Sequence, residues 1–177
     1  MLDALQLPVA LDARSGPVLL RRATRDDLDQ LMALLADDPV SAARGDVAAP
    51  GDLPAYLAAL EEILADQGND LLVADDADGR LVGTLQLTRI PGMARRGSTR
   101  LLVEAVRVRS DARSAGIGGA MMRWVVDVAA PALGSGLVQL TSDAARTDAH
   151  RFYERLGFAA SHVGFKRRIP AAPSQTG

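Results

Sequence analysis

The order of predicted elements indicates an α+β protein with a mixed, mostly antiparallel central sheet that helices flank. Short connections join the three strands predicted between residues 71 and 108, so these strands pair antiparallel as a meander. A strand, a helix and another strand then follow over residues 101–141, and this order requires a right-handed crossover and parallel pairing. A parallel pair in an otherwise antiparallel sheet has to splay, and the splay is a natural slot for a ligand.

Before the meander, the chain is predicted to form one strand and two helices. Residues 18–22 are an apolar strand, and Thr24 then caps the first helix. A loop of small residues over 39–51 follows, which is either a functional loop or a plain connector. Asp52 caps the second helix, which ends near Gly68. The apolar stripes of the two helices repeat at helical spacing, at Leu28, Leu31, Met32 and Leu35 and at Leu53, Leu57, Leu60 and Leu64.

The second half of the chain alternates strands with helices. The strands of the meander are predicted at residues 71–74, 81–90 and 101–108. The helix of the crossover follows, with its apolar residues at Ile117, Met121, Trp124, Val125 and Val128. A strand over residues 137–141 precedes a last helix, which begins at Thr147 or Asp148 and has Gly157 as its C′ residue. Residues 158–169 are predicted to supply a terminal strand.

The composition is typical of a single globular domain. The chain has 177 residues, 48% of them hydrophobic, and a formal net charge of −2, which does not favour nucleic-acid binding. It has no cysteine, which excludes disulfides and thiol catalysis, and only two histidines, so no metal site is predicted. No apolar run is long enough to span a membrane, and we expect a cytoplasmic protein. We predict an N-terminal arm over residues 1–16, one domain over residues 17–169 and a disordered tail over residues 170–177.

The stretch RSAGIGG, residues 113–119, opens the crossover helix directly after the third strand of the meander. Its three glycines lie where the first amides of a helix lack an intrahelical acceptor, so an anion can approach those N–H groups closely. A P-loop is excluded because the only lysine, Lys166, lies far downstream. Met121 stands where the dinucleotide-binding fingerprint needs glycine or alanine. The stretch is therefore either a different phosphate cradle or a glycine-rich helix start used for tight packing.

Two motifs resemble those of one enzyme family. The pattern Arg113-x-x-Gly116-x-Gly118 resembles the (Gln/Arg)-x-x-Gly-x-(Gly/Ala) signature with which GNAT-family N-acetyltransferases hold the pyrophosphate of acetyl-coenzyme A. Residues 149–158, AHRFYERLGF, resemble the Ala-x-x-(Phe/Leu)-Tyr-x-x-x-Gly-Phe element of that family. The order of predicted elements is also similar to that of the GNAT fold, so the resemblance covers most of the chain.

The resemblance implies an acetyl-CoA-dependent N-acetyltransferase. Such an enzyme moves the acetyl group to a primary amine by direct attack on the thioester and calls for no metal. The acceptor can be a small molecule or a protein amine, and a homodimer is common in such proteins. Two alternatives stay open: a non-catalytic acyl-CoA-binding sensor or scaffold with the same cradle, and a glycine-turn protein that binds another nucleotide.

The resemblance also implies a set of residues that bind the cosubstrate. The backbone of residues 106–108 is expected to pair with the pantetheine like an added strand, and an amide there to polarise the thioester carbonyl. Arg113 is expected to aid the pyrophosphate by charge, the alternative being a plain surface arginine. Many relatives carry Asn where this chain has Arg146, so that contact is not carried over. The implied set is Val106, Arg107, Val108, Arg113, Ser114, Ala115, Gly116, Ile117, Gly118, Gly119 and Tyr153.

Tyr153 is the implied general acid, which protonates the departing coenzyme A thiolate. The alternative is that Tyr153 belongs to the core and packs with Phe152. Arg146, His150 and Tyr153 fall at i, i+4 and i+7 on one polar-edged face of the last helix, and this face favours catalysis over packing. His150 is expected to be a solvent-facing polar residue.

Glu104 is the candidate general base. On an extended strand it shares a side with Leu102, Val106 and Val108, where a carboxylate is costly unless it is paired or functional. The alternative is a salt bridge to Arg100 or Arg107, and a bulge in the strand would break this alternation.

The basic loop over residues 95–100 lies near the expected acceptor side. Its arginines either favour acidic acceptors or are solvated residues at a hairpin tip.

Overall fold

The protein is described by a computed structural model that covers residues 2–43, 45, 47–167 and 169, with the backbone alone at Pro39. One six-stranded sheet organises it, and the strands lie side by side in chain order. The first five strands pair antiparallel, and the fifth and sixth pair in parallel, which confirms the predicted mixed sheet. The strands are β1 (Val9–Ala13), β2 (Gly16–Arg22), β3 (Asn69–Asp75), β4 (Leu81–Ile90), β5 (Thr99–Val108) and β6 (Ser135–Leu140).

Helices connect these strands. They are α1 (Leu28–Ala36), α2 (Pro39–Ala42), α3 (Leu53–Ala65), α4 (Ala94–Gly97), α5 (Ile117–Trp124), α6 (Ala130–Ala132) and α7 (Thr147–Arg155). Four of the helices lie at predicted places, whereas three short ones, α2, α4 and α6, lie in or beside stretches that were predicted to be connections. The short α4 is irregular, because Arg95 and Arg96 have left-handed φ angles of +54° and +61°. Thr24 caps the turn that leads into α1: its backbone N–H donates to Asp27 Oδ2 at 2.7 Å.

The chain divides into two compact units, residues 1–140 and residues 141–177. The first unit holds the sheet and the helices α1 to α6, and the second holds α7 and the segment after it. Each unit is described by itself.

In the first unit, the two faces of the sheet carry separate parts of the core. Leu72 of β3 lies opposite Arg22 and Leu85, and this face is covered by α5, whose Met121 reaches Gly83. The other face holds the cluster that α1 and α3 cover. Its buried members are Ala23, Leu31, Leu34, Leu60, Leu71, Val73 and Leu81. Burial of this size on both faces is the main stabilising contribution to the sheet.

The apolar stripe of α5 ends earlier than predicted. Ile117, Met121, Trp124 and Val125 are buried, but Val128 is 50% exposed. The reason is a π-helical segment, Val125–Ala129, that follows α5. Its wider turn shifts the phase of the stripe, so the spacing that held for the first two turns fails at Val128.

The N-terminal stretch contributes a strand that the sequence did not reveal. Residues 9–13 form β1 and pair with β2 through a tight turn at Arg14 and Ser15. Only Leu11 of this edge strand is buried, so its pattern of apolar residues was too weak to predict it.

The terminal strand predicted over residues 158–169 is wrong. Residues 158–167 and 169 form no strand, and Val163, Phe165 and Ile169 are exposed. The alternation of Val163 and Phe165 suits a strand, but a strand also needs an edge that accepts its hydrogen bonds. No such pairing with this segment occurs within the part of the chain that the structure describes. The tail predicted over residues 170–177 lies outside the described residues.

Candidate active site

Strand β5 contains a bulge at its centre. Glu104 lies opposite Gln86 and Arg107 opposite Thr84, so two residues of β5 face a single residue of β4. Ala105, within the bulge, has a φ of +50°, a left-handed conformation that an alanine adopts only at a cost. Bulges of this kind redirect backbone groups, and they are frequent beside active sites.

The bulge corrects the predicted surroundings of Glu104. Residues opposite each other in register share a face, so Glu104 lies on the same face as Gln86, Thr84 and Arg107. Val108 lies opposite Gly83, on the other face, so the prediction that it shares a side with Glu104 is wrong. The extra residue at the bulge reverses the alternation, which is the physical reason.

Glu104 itself is exposed and makes no ion pair with any described residue. The salt bridge to Arg107 that was its alternative is not formed. Arg107 instead donates from Nη1 to the Val106 carbonyl at 2.9 Å and from Nη2 to Ser41 Oγ at 2.7 Å. Ser41 is buried and donates its backbone N–H to Asp38 Oδ2 at 2.8 Å. Arg107 therefore ties α2 to the bulge.

The parallel pair β5–β6 is hydrogen-bonded over only half of β5. The register runs from Thr99 with Ser135 to Val103 with Leu140 and ends there. From residue 104 to residue 108, β5 has β4 on one side and no described strand on the other. The carbonyls of Val106 and Val108 accept hydrogen bonds from Arg107 and Arg113, and no described strand pairs with the stretch on that side, as the predicted splay requires.

The loop after β5 has a conformation that its glycine makes possible. Ser114 has a φ of +62° and Gly116 a φ of +88°, and α5 begins directly after them. A Cβ on Gly116 would lie 3.0 Å from the backbone nitrogen of Arg14, so no other residue fits without a shift. The first amides of α5 thus follow a left-handed turn at Ser114 and Gly116, which we call the corner, and Gly116 has no side chain to cover them. Such amides suit the anionic pyrophosphate of the expected cosubstrate.

The turn between β1 and β2 supports this loop from outside. Arg14 donates from Nη2 to the Ser114 carbonyl at 2.8 Å, and the Ser15 backbone N–H donates to the Ala115 carbonyl at 3.2 Å. Both carbonyls flank the left-handed positions, so the two hydrogen bonds hold the loop in its shape. Sequence reasoning missed Arg14, because nothing in the first fifteen residues marks a contact with a loop 100 residues away.

Arg113 lies in this loop as predicted, but its guanidinium also makes internal contacts. Nε donates to the Val108 carbonyl at 3.2 Å, and Nη2 donates to the Asp37 carbonyl at 3.2 Å. The carboxylate of Asp37 accepts the Ser110 backbone N–H at 2.6 Å. Arg113 therefore joins the loop to the end of α1, and its side chain stays half-exposed beside the loop.

A buried cluster of charges fixes the start of α1. Arg21 donates from Nη2 to Asp27 Oδ1 at 2.7 Å and from Nε to Asp75 Oδ2 at 2.6 Å. The hydrogen bond from Arg21 holds the pKa of the Asp27 carboxyl below its usual value. Near the loop, the hydrogen bond from Arg80 likewise lowers the pKa of Asp111. These ion pairs position α1 and the loop rather than offering free charge to a ligand.

Polar side chains lie on the sheet face that carries Glu104. Asn69 Oδ1 accepts hydrogen bonds from Gln86 Nε2 at 3.0 Å and from Thr88 Oγ1 at 2.6 Å. These three residues are half-buried, and together with Glu104 they form what we call the polar floor. Sequence reasoning missed the first three, because only the cross-strand register brings them together.

In the second unit, Tyr153 packs between two aromatic rings of its own unit. Its ring centroid lies 5.1 Å from that of Phe152 and 5.9 Å from that of Phe158, both edge to face. The packing alternative for Tyr153 is thus compatible with these contacts, but Tyr153 is only half-buried. His150 Nε2 lies 2.8 Å from the Asp143 carbonyl, so this residue is held locally. Gly157, with a φ of +85°, is the predicted C′ residue.

The predicted residues thus fall into two groups. Glu104 and the expected cosubstrate-binding residues belong to one continuous stretch of the first unit, whereas Tyr153 belongs to the second unit. Along that stretch, Val106, Arg107 and Val108 lie in β5, Arg113, Ser114, Ala115 and Gly116 in the loop, and Ile117, Gly118 and Gly119 in the first turn of α5. Among the described residues, no three carboxylates or histidines are grouped to hold a metal ion, and none of the helices is long and apolar enough to cross a membrane.

Solved structures that resemble this chain come from several organisms. A structure described as a transcriptional regulator from Bacillus halodurans C-125 is 41% identical, with 86% of this chain and 99% of that chain covered and a TM-score of 0.81. A Trypanosoma brucei acetyltransferase is 25% identical, with 86% and 99% covered and a TM-score of 0.68. Glucosamine-6-phosphate N-acetyltransferase from Arabidopsis thaliana, at 17% identity, 86% and 99% coverage and a TM-score of 0.68, shares the fold.

Sequence comparisons point the same way. A search of curated proteins found no match. The sequence profile of the acetyltransferase (GNAT) family matches residues 28–158, from the start of α1 to the residue after the C′ glycine of α7. That match spans most of the chain and includes both motifs, the bulged strand and the glycine loop. The chain belongs to the GNAT family of acetyltransferases.

Proposed function

We propose that this protein transfers the acetyl group of acetyl-CoA to a primary amine. The observation that carries the proposal is the continuity of β5 with the glycine loop. An open stretch of strand backbone at residues 104–108 leads directly into the left-handed corner at Ser114 and Gly116. A pantetheine arm suits the open strand edge, and a diphosphate suits the corner and the first amides of α5.

The proposed binding of acetyl-CoA uses mainly the backbone. The peptide N–H groups of Val106 and Val108 pair with the pantetheine, while their carbonyls also accept from Arg107 and Arg113. The loop from Ser114 to Gly119 holds the pyrophosphate with those of its amides that have no carbonyl partner. Arg113 adds a positive charge beside them. The bound cosubstrate supplies an activated thioester. A backbone amide next to the bulge donates to its carbonyl oxygen, and this donation is worth most where negative charge develops.

Two side chains carry the proposed proton transfers. Glu104 takes a proton from the acceptor ammonium, directly or through a water molecule, so that the amine lone pair can form the new C–N bond. As the C–S bond breaks, Tyr153 donates its phenolic proton to the departing sulfur, and the second proton that the nitrogen loses on becoming an amide restores the phenol through water. Positioned proton transfer of this kind contributes about 10²–10⁴ to the rate. The same residues serve a small-molecule amine, a protein N-terminus or a lysine, and a homodimer is compatible with this scheme.

Replacement of Tyr153 by phenylalanine tests the proposal. With a panel of primary amines and a free-thiol readout, we expect Tyr153→Phe to lower kcat about 100-fold, because the departing sulfur loses its proton donor. The affinity for coenzyme A, measured by calorimetry, should stay unchanged. The matched control is Tyr56→Phe in α3, which removes the only other phenol of the chain and should keep its turnover.

Two results would count against the proposal. Normal turnover of Tyr153→Phe would show that Tyr153 is not the acid. A wild-type protein that binds coenzyme A but acetylates none of the amines would favour a non-catalytic acyl-CoA-binding module.

A further inference from the structure

We propose that Gln86 is a specificity-determining residue for the acceptor, and that its side-chain carbonyl and the Glu104 carboxylate together bind a primary alkylammonium group. This inference rests on the proposed acetyl transfer, because it names the substrate class of the same site. It is carried by a hydrogen-bond chain that starts at Asp66, just after α3, and runs through Asn69 to Gln86 on the polar floor.

The chain begins with a carboxylate that can only accept hydrogen bonds. Asp66 Oδ1 accepts the Gly68 backbone N–H at 2.7 Å, and Asn69 Nδ2 donates to Asp66 Oδ2. Both hydrogen bonds lower the pKa of Asp66, so this residue is ionised at neutral pH. Because a carboxylate has no proton to give, the amide nitrogen of Asn69 has to face Asp66.

The orientation of Asn69 then sets that of Gln86. With its nitrogen turned to Asp66, Asn69 presents its oxygen to β4, where it accepts from Gln86 Nε2 at 3.0 Å and from Thr88 Oγ1 at 2.6 Å. The side-chain nitrogen of Gln86 must therefore be the atom that faces Asn69 in β3. We infer that the side-chain carbonyl oxygen of Gln86, bonded to the same carbon as Nε2, faces away from Asn69 and lies on the side of β5.

On that side lies Glu104. It is the cross-strand partner of Gln86 on the same face, where such pairs have Cβ atoms about 5 Å apart. Glu104 is exposed, and no described residue donates a hydrogen bond to it or to Gln86 Oε1. The floor therefore offers two neighbouring oxygens, one charged and one neutral, and both can only accept.

Two acceptor oxygens without a donor between them select a ligand that brings several N–H groups and a positive charge. A primary ammonium has three such donors, whereas a hydroxyl offers one and no charge. The bulge at Ala105 follows directly after Glu104, so an amine held here lies next to the strand edge proposed for the thioester. We therefore assign strongly basic alkylamines, rather than weakly basic aromatic amines, as the acceptor class.

Substitution of Gln86 by methionine tests the assignment, since methionine has a similar length and no carbonyl. We expect Gln86→Met to raise the KM for an alkylamine about tenfold and to leave the KM for acetyl-CoA unchanged. Asn69→Leu removes the group that orients Gln86 and should raise the same constant about threefold. Gln6→Met, the same substitution at an exposed glutamine before β1, is the control and should leave both KM values unchanged.

Equilibrium binding separates this proposal from the acetyl transfer on which it rests. Titration of n-butylamine at neutral pH, with n-butanol as the uncharged match, is followed by NMR in protein saturated with coenzyme A. We expect the wild type to favour the ammonium about tenfold and Gln86→Met to lose that preference, whether or not any amine is acetylated. Equal binding of amine and alcohol by the wild type, an unchanged amine affinity in Gln86→Met, or an equal loss in Gln6→Met would overturn the assignment.

Discussion

The two ends of strand β5 present different chemistry to a ligand. From the bulge onward, the strand and the loop that follows present backbone groups whose directions depend on positive φ angles at Ala105, Ser114 and Gly116. From Thr99 to Glu104 it lies beside the polar floor, where side chains from three strands meet in register. We call these the coenzyme end and the acceptor end. Backbone amides are common to all residues, so the coenzyme end depends on chain shape, whereas the acceptor end depends on which side chains are present.

The largest change in activity is expected from a substitution at the acceptor end. Glu104→Gln keeps the shape of the side chain but removes the proposed base, so kcat should fall about 100-fold while the KM for acetyl-CoA stays unchanged. Steady-state kinetics at several acetyl-CoA concentrations measure both constants. Glu62→Gln, at an exposed position of α3, is the matched control and should behave as the wild type. A rise in the KM for acetyl-CoA in Glu104→Gln would mean that the two ends are not separate.

At the coenzyme end, the next largest effect is expected from a single methyl group. Gly116→Ala places a Cβ at a φ of +88° and 3.0 Å from the Arg14 nitrogen, so the loop must shift. Strain of about 2 kcal/mol corresponds to a roughly 30-fold rise in the Kd for coenzyme A, measured by calorimetry. Gly134→Ala is the control, because Gly134 lies outside the loop. Its φ of +62° brings similar backbone strain, and a Cβ there would have no neighbour within 4 Å. Equal affinities of the two variants for coenzyme A would show that the turn at Ser114 and Gly116 does not bind it.

The smallest effect is expected from the support of the loop. Arg14→Ala removes the hydrogen bond to the Ser114 carbonyl, and because that bond is exposed we expect about a fivefold rise in the KM for acetyl-CoA. The kcat and the KM for the amine should not change, and Arg14→Lys should recover part of the loss because it keeps a charged donor. Arg25→Ala, at a residue that pairs with Glu61, is the control for the lost charge. An equal rise in Arg25→Ala would show that net charge, not the contact, is responsible.

The coenzyme end was the more predictable of the two from sequence. Glycine at position 116 is needed because of a left-handed φ and a close backbone neighbour. Positions that require glycine can be recognised in a sequence from the spacing of the glycines. The parallel pair and the meander followed from the lengths of the connections. The position of the bulge at Ala105 could not be predicted, because alanine is as compatible with a regular strand as with a bulge. Its conformation depends on the strands beside it.

The acceptor end could not be predicted for a related reason. Asn69 and Gln86 are 17 residues apart, and they meet only through the register of β3 and β4. A pattern within one strand tells which residues share a side, but not which side chains of the next strand lie opposite. The leucine stripe of α3 shows the same limit, since Leu60 is buried while Leu53 and Leu64 are exposed. Spacing predicts a helix, and the neighbours decide how much of it is covered.

The turn at Arg14 couples the first strand to the loop that we propose holds the cosubstrate. Two hydrogen bonds couple β1 to the carbonyls of Ser114 and Ala115, so a displacement of the first strand reaches the glycine corner directly. We therefore expect a substitution that moves the turn between β1 and β2 to change the affinity for the proposed cosubstrate.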